Sequence, residues 1–419
     1  MLLILAFVLS LFSQKDKIVL DPKAFIATPS GLKGNFVVST TPPSVDVYLL
    51  SGLPEADTQT LWSSWGNGCL ASNGKYYFAI GDHRGYDGNS YVYEYDPQRG
   101  SIEKIIDIAD AIGQKKGDYG HGKIHAPIYE YQGALYFTTY WGKEKFVEEA
   151  SQHGYKGSLL FRFDLKTRKL ENLGAIAPGF GLPHSVLDSS RGLLYFFAVK
   201  KGDVVAYDLK NRIVKWKGGS EYTGEFRSFM LARDGKVYFT DLRGRISFYD
   251  PNKNAAVQTS LFLPGKENSL RAASPSLSDG RIFGMARDGH LFEFNPTKLT
   301  IKDLGPNFLE GDYTAIIVLS PDQKYLYYAP GAHGSATRSG TPIVQYTIGN
   351  GVRKVIAFLH DPLLTKGYNV GGSYNLVIDP KGEVLYTVFN GARLSGNKKQ
   401  LTFGLPSLVV IKIPASERK

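Results

Sequence analysis

The sequence predicts an all-β, seven-bladed β-propeller with four-stranded antiparallel blades around a central channel, closed by an N-terminal strand. Three observations predict it. One pattern recurs seven times, its runs rich in Val, Ile, Tyr, Phe and Thr are separated by DG, NG or SRG turns, and no convincing helix-period segment interrupts it. Alternating runs joined by such turns are hairpins, and three or four strands per copy make a blade. At 419 residues and 43% hydrophobic the chain can bury a large core, and a repeat architecture lets one domain reach that length.

Taken in chain order, residues 1–13 (MLLILAFVLSLFS) are apolar and QKDK follows at once. The run is too short to span a bilayer and suits the core of a signal peptide, so residues 1–16 are expected to be removed on export. No Lys or Arg precedes the run, which leaves a buried first strand as the alternative. No Cys follows it, against a lipid anchor. The expected location is secreted or periplasmic, with a single propeller domain over residues 17–419 and no integral membrane segment. Cys69 is the sole cysteine, so no intrachain disulfide forms, and it reads as a packed strand residue.

The copies open at Asn67 (NGCLASNGKYYFAIGDH), His125, His184, Arg227, Arg271, Tyr313 and Tyr374, spaced by 58, 59, 43, 44, 42 and 61 residues. The last runs out of chain after three strands. Residues 45–50 (VDVYLL) are expected to supply its fourth, because an open ring leaves unpaired edges. Short helical turns are expected at most at Glu148–Ser151 and at 107–112. Copies three, four and five are compact, whereas the others carry loops at 82–90, 107–124, 142–157, 331–342 and 360–373. These hold five of the eight histidines, and Gly-rich loops on a rigid scaffold are where binding residues tend to lie.

In a propeller the first strand of each blade lines the channel, and the end of the second strand returns to the same mouth. The seven opening residues therefore converge. The second-strand ends Asp82 and His83, Tyr140 and Trp141, Lys200, Asp241, Arg287, His333 and Asn390 join them. The ring is polar, cationic and aromatic, and such groups call for a wet pocket with a ligand. Net charge points the same way: Lys+Arg 49 against Asp+Glu 39 gives +10 and favours an anionic partner. His125 (GKIHAP) and His184 (GLPHSV) open adjacent blades, with Lys200 and Arg227 beside them. Nearby cations keep an imidazole neutral and able to accept a proton, while they neutralise a substrate carboxylate. That is what β-elimination from a uronic-acid glycan requires, with Tyr140 or Tyr313 as acid. Asn67, His83, Trp141, Arg271, Arg287, Tyr313, His333 and Tyr374 are the candidate substrate-binding residues.

Other chemistries fit less well. Glycoside hydrolysis needs a facing carboxylate pair, and the mouth offers Asp82 and Asp241 in non-adjacent blades. His121 and His125 have HxxxH spacing on a loop–strand junction, which is no zinc site, and 87–89 reads as a turn rather than a Ca²⁺ loop. No nucleotide or dinucleotide glycine motif stands in persuasive context, so no cofactor or metal is expected. Basic residues are scattered through turns with no interleaved aromatic stripe, against nucleic acid. A monomer is expected.

The run HAPIYEYQGALYF, the His184 blade and the basic residue ending its second strand resemble the seven-bladed propeller polysaccharide lyases, notably ulvan lyases. In those enzymes a His on one blade, with a Tyr and an Arg on the next, carries out the elimination. The resemblance implies that His125 matches the catalytic His, with His184 where Tyr is expected and Lys200 where Arg is expected. The family's second-strand His has no counterpart, since Tyr140 and Trp141 occupy that stretch. Two readings follow: an exported lyase acting on acidic polysaccharide, or a non-catalytic propeller that binds a glycan or a protein.

Overall fold

The residue that ends the third strand of each compact hairpin dictates how the chain turns back. In the computed structural model Asp96, Asp164, Asp208, Asp250 and Asn295 each accept backbone N–H bonds from the residues two or three further on. These side-chain turns explain why the repeat closes on Asp or Asn. The residue four positions on is left-handed every time. Gly100 takes that conformation freely, whereas Arg168, Arg212, Asn254 and Leu299 adopt φ of 50–57° at about 1–2 kcal/mol each.

The structure describes residues 17–34, 36–54, 60–142, 148–199, 201–224, 226–265, 268–394 and 402–419. Seven antiparallel sheets form the ring. Blade 1 runs from Cys69–Leu70 through Tyr76–Gly81 and Ser90–Asp96 to Ser101–Asp107, and blades 2 to 5 repeat that order outward from the channel. The second strand of each blade is buried on both faces. In the second strand of blade 1, Tyr76, Phe78 and Ile80 pack against blade 7, while Tyr77 and Ala79 pack against blade 2. The period-two alternation therefore builds seven separate cores between neighbouring blades and leaves the axis open.

The N-terminal strand closes the last blade as expected, one residue earlier than the expected 45–50. Ser44–Leu49 pairs antiparallel with Ser407–Lys412, from Ser44 opposite Lys412 to Leu49 opposite Ser407. The N-terminal segment goes further than the sequence reading foresaw. Lys17–Ile18 covers the free edge of that closing strand, and Val37–Val38 adds in parallel to Arg353–Phe358 of blade 6. Glu417 fastens this strap by accepting the N–H groups of Thr40 and Thr41 (3.0 and 3.1 Å) and pairing with Lys354 at 2.7 Å. Short helices stand at Ile108–Ile112, capped by Asp107, at Glu148–Ser151 (3₁₀), and at His360–Leu364, which periodicity did not reveal. The expected signal peptide, residues 1–16, lies outside the described residues. No described helix is long and apolar enough to cross a membrane.

Candidate functional site

His125 is placed by the extended entry to the first strand of blade 2. Its Nδ1 lies 2.8 Å from the carbonyl oxygen of Pro183 and must donate to it. Nε2 is therefore the acceptor, and it faces the guanidinium Nη1 of Arg227 at 2.6 Å, across from blade 2 to blade 4. Burial, then Arg227 and Lys123, hold the imidazole well below its ordinary pKa. The lone pair that a general base needs is thus fixed at Nε2 and covered by a cation.

A second ring supports the first. Trp65 stacks on His125 (6.0 Å, 18°) and on Phe403 (5.7 Å, 12°). His83, Tyr374 and His333 surround it at 5.0, 5.0 and 6.0 Å. Lys123 Nζ lies 4.2 Å from the Trp65 ring centroid, and the indole N–H donates to Ser63 Oγ at 2.6 Å. Tyr140 sits 5.5 Å from His125. Arg271 lies over Tyr313 at 4.1 Å and donates to its phenol oxygen. Tyr313 in turn neighbours His333 and Tyr374 at 5.0 and 6.2 Å.

The field is cationic throughout. Burial and Lys123 lower His83 to about 4; burial, Arg227 and Arg271 lower His184 to about 3; burial, Arg271, Arg227 and Lys123 lower His333 to about 4. Asp82 is fully buried and committed to Arg84 (2.7 Å) and to the Asn89 N–H (2.9 Å), and Asp241 holds its own turn through the N–H groups of Arg243 and Arg245. Among the described residues no three His, Cys, Asp or Glu side chains gather as metal ligands. Tyr374 Oη is buried and has no hydrogen-bond partner among them.

The structure thus brings His83, His125, Tyr140, His184, Arg227, Arg271, Tyr313, His333 and Tyr374 to one ring. His184 packs on Phe229 (5.9 Å) and lines the same small cavity as His125 and Arg227. The other candidates fare differently. Trp141 is buried in a side cluster with Tyr119, Ala150, Tyr155 and Val199. The Asn67 amide oxygen accepts the Leu376 N–H, and Asn390 bonds both ways with the Ser64 backbone, so both fasten blade 7 to blade 1. Arg287 is exposed and lines neither of the cavities on the axis. His121 is buried against Tyr155 and bonds Thr139 at 2.8 Å. Lys200 lies outside the described residues. Sequence reading missed Trp65, Lys123 and Phe403. Trp65 and Lys123 each stand two residues before a residue it did select, and that spacing on an extended chain puts them on the same side.

Set against protein-family models and curated proteins, the chain matches none.

Proposed function

We propose that the ring receives the carboxylate of an acidic, uronate-containing polysaccharide, and that His125 then removes the proton on the adjacent carbon in a β-elimination. The observation that carries this reading is the 2.6 Å contact between His125 Nε2 and Arg227. The two groups cover each other until an anion draws the guanidinium away. The carboxylate then bonds Arg227, with Arg271 and Lys123 adding positive field, and masking its charge acidifies the C5 proton. Nε2 takes that proton, the C5–H electrons form the C4=C5 double bond, and the C4–O bond breaks. The leaving oxygen takes a proton from a phenol, for which Tyr140 is the nearest to His125 of those considered. Burial first of all raises the Tyr140 phenol further above its ordinary pKa, so it carries its proton when the leaving oxygen departs. The protein acts after export, on a polymer too large to enter a cell.

A second reading is a binding propeller without chemistry. One observation favours it: the cavity beside His125 measures about 30 Å³, too small for a sugar until Arg227 moves. Purified protein incubated with a panel of uronate polymers distinguishes the two. The lyase generates an unsaturated uronate end with new ultraviolet absorbance, and His125→Ala removes it; a binding module retains polymer and produces none. Binding to neutral glycans alone, unaffected by salt, would contradict the acidic-polysaccharide reading.

A further inference from the structure

The ring closes one end of a much larger space. Below it, towards the turns that join first to second strands, the channel widens into a cavity of about 610 Å³, within the usual range for small-molecule sites. Its wall is largely aliphatic. Leu70, Val186, Leu231, Ile316, Val318 and Val377, from blades 1, 3, 4, 6 and 7, are each half-buried, packed on an inter-blade core on one side and lining the cavity.

The charged groups of that wall are already engaged. Arg191 pairs with Asp188 at 2.9 Å, Arg233 donates to the carbonyls of Leu277 and Ser278, and Glu130 accepts from Ser72. The wall therefore asks for an apolar occupant. At the inner end the demand reverses. Asn67, Pro127, His184, Ala315 and Ile316 line both this cavity and the small one of about 30 Å³, so the two adjoin. The small space is lined by Arg227 and Arg271, and by Tyr374, whose buried hydroxyl has no partner among the described residues. It has room for a group of one or two water volumes, such as a carboxylate.

We infer that the channel binds a long-chain monocarboxylate, its alkyl chain in the aliphatic cavity and its head at Arg227, Arg271 and the Tyr374 hydroxyl. Cation and donor fix the head, and the chain gains by leaving water. The ligand enters from the face opposite the polysaccharide mouth, but its head takes the two arginines that the polysaccharide reading gives to the substrate carboxylate, so the two ligands compete there.

The test uses hexanoate, octanoate and decanoate, with decanol as the uncharged control, titrated calorimetrically into the full chain. Burying a methylene is worth about 0.8 kcal/mol, so each added pair should tighten binding about tenfold. Decanol should bind at least about tenfold more weakly than decanoate, since a hydrogen bond to a charged group contributes about 1.5–3 kcal/mol. Cys69 lines the cavity and is the only thiol, so it reports occupancy directly. Decanoate should slow its modification by a small thiol reagent. Val318→Trp should abolish decanoate binding and that protection, while leaving retention of acidic polysaccharide intact. Affinity independent of chain length, decanol equal to decanoate, or Cys69 reacting at one rate throughout would overturn the inference. None of those results touches the polysaccharide reading, which polymer retention measures separately.

Discussion

Replacing Trp65 by Ala should loosen the ring and the fold together. The indole is 9% exposed, stacks on two other rings, and has an N–H bond and a cation at 4.2 Å. Truncating a buried aromatic to Ala costs about 3–5 kcal/mol through lost transfer energy and the cavity left behind. For a chain of this length the unfolding entropy is about 0.8 kcal/mol/K, which converts that loss to a fall of about 4–6 °C in Tm. Trp65→Phe keeps the stacking partners but loses the N–H bond to Ser63, and should fall between the two. Differential scanning calorimetry reads both variants. A Trp65→Ala protein that melts within about 1 °C of wild type would refute the claim that the indole holds the ring, because no other mechanism here offsets so large a cavity.

Three further outcomes follow from named contacts. Arg227→Gln should weaken binding of a uronate oligosaccharide about 10–150-fold, the equivalent of one charge-assisted hydrogen bond, with a shallower salt dependence measured by titration calorimetry. Stability should fall as pH drops from about 6.5 towards 4. The unfolded chain protonates its histidines there, while His83, His121 and His184, held at about 4, 4 and 3 chiefly by burial, stay neutral, each contributing about 1.4 kcal/mol per pH unit. Asp82, raised to about 6 by burial, works in the opposite sense, so Asp82→Asn should steepen the loss in urea melts taken across that range. Glu417→Ala strands Lys354 and two backbone N–H groups, and should cost about 3–5 kcal/mol and expose the N-terminal strap to limited proteolysis.

The fold was legible because each of its signals is local. Turn residues, alternation and the spacing of copies are written within about 40–60 residues, and the Asp or Asn that ends each hairpin carries its own hydrogen bonds. Even the closing strand could be found, since a blade one strand short demands a partner. The ring was legible only in part. Counting from strand starts located His125, Arg227, Arg271, Tyr313 and Tyr374, whose side chains do meet. It could not show which side chains on the axis are also committed to tying two blades: Asn67 lines the small cavity, and its amide oxygen accepts the Leu376 N–H. Trp141 shows the same limit: its ring stacks on Tyr140 at 4.3 Å and is buried in a side cluster, away from His125. Trp65 was missed because it precedes its strand, in a segment whose conformation depends on the neighbouring blade. The pairing of Arg227 with His125 crosses from blade 4 to blade 2 and depends on the diameter of the channel, which no local pattern encodes.

In the proposed elimination His125, freed from Arg227 by a substrate carboxylate, takes a proton from carbon. The most direct measurement of that step is the rate of unsaturated-uronate formation on a polymer the protein retains, compared between wild type and His125→Ala. The account predicts a loss of about 10²–10⁴-fold in kcat, the usual contribution of a general base, with polymer still retained. A His125→Ala protein that keeps the wild-type kcat, or a wild type that retains uronate polymers and never forms the unsaturated end, would contradict it.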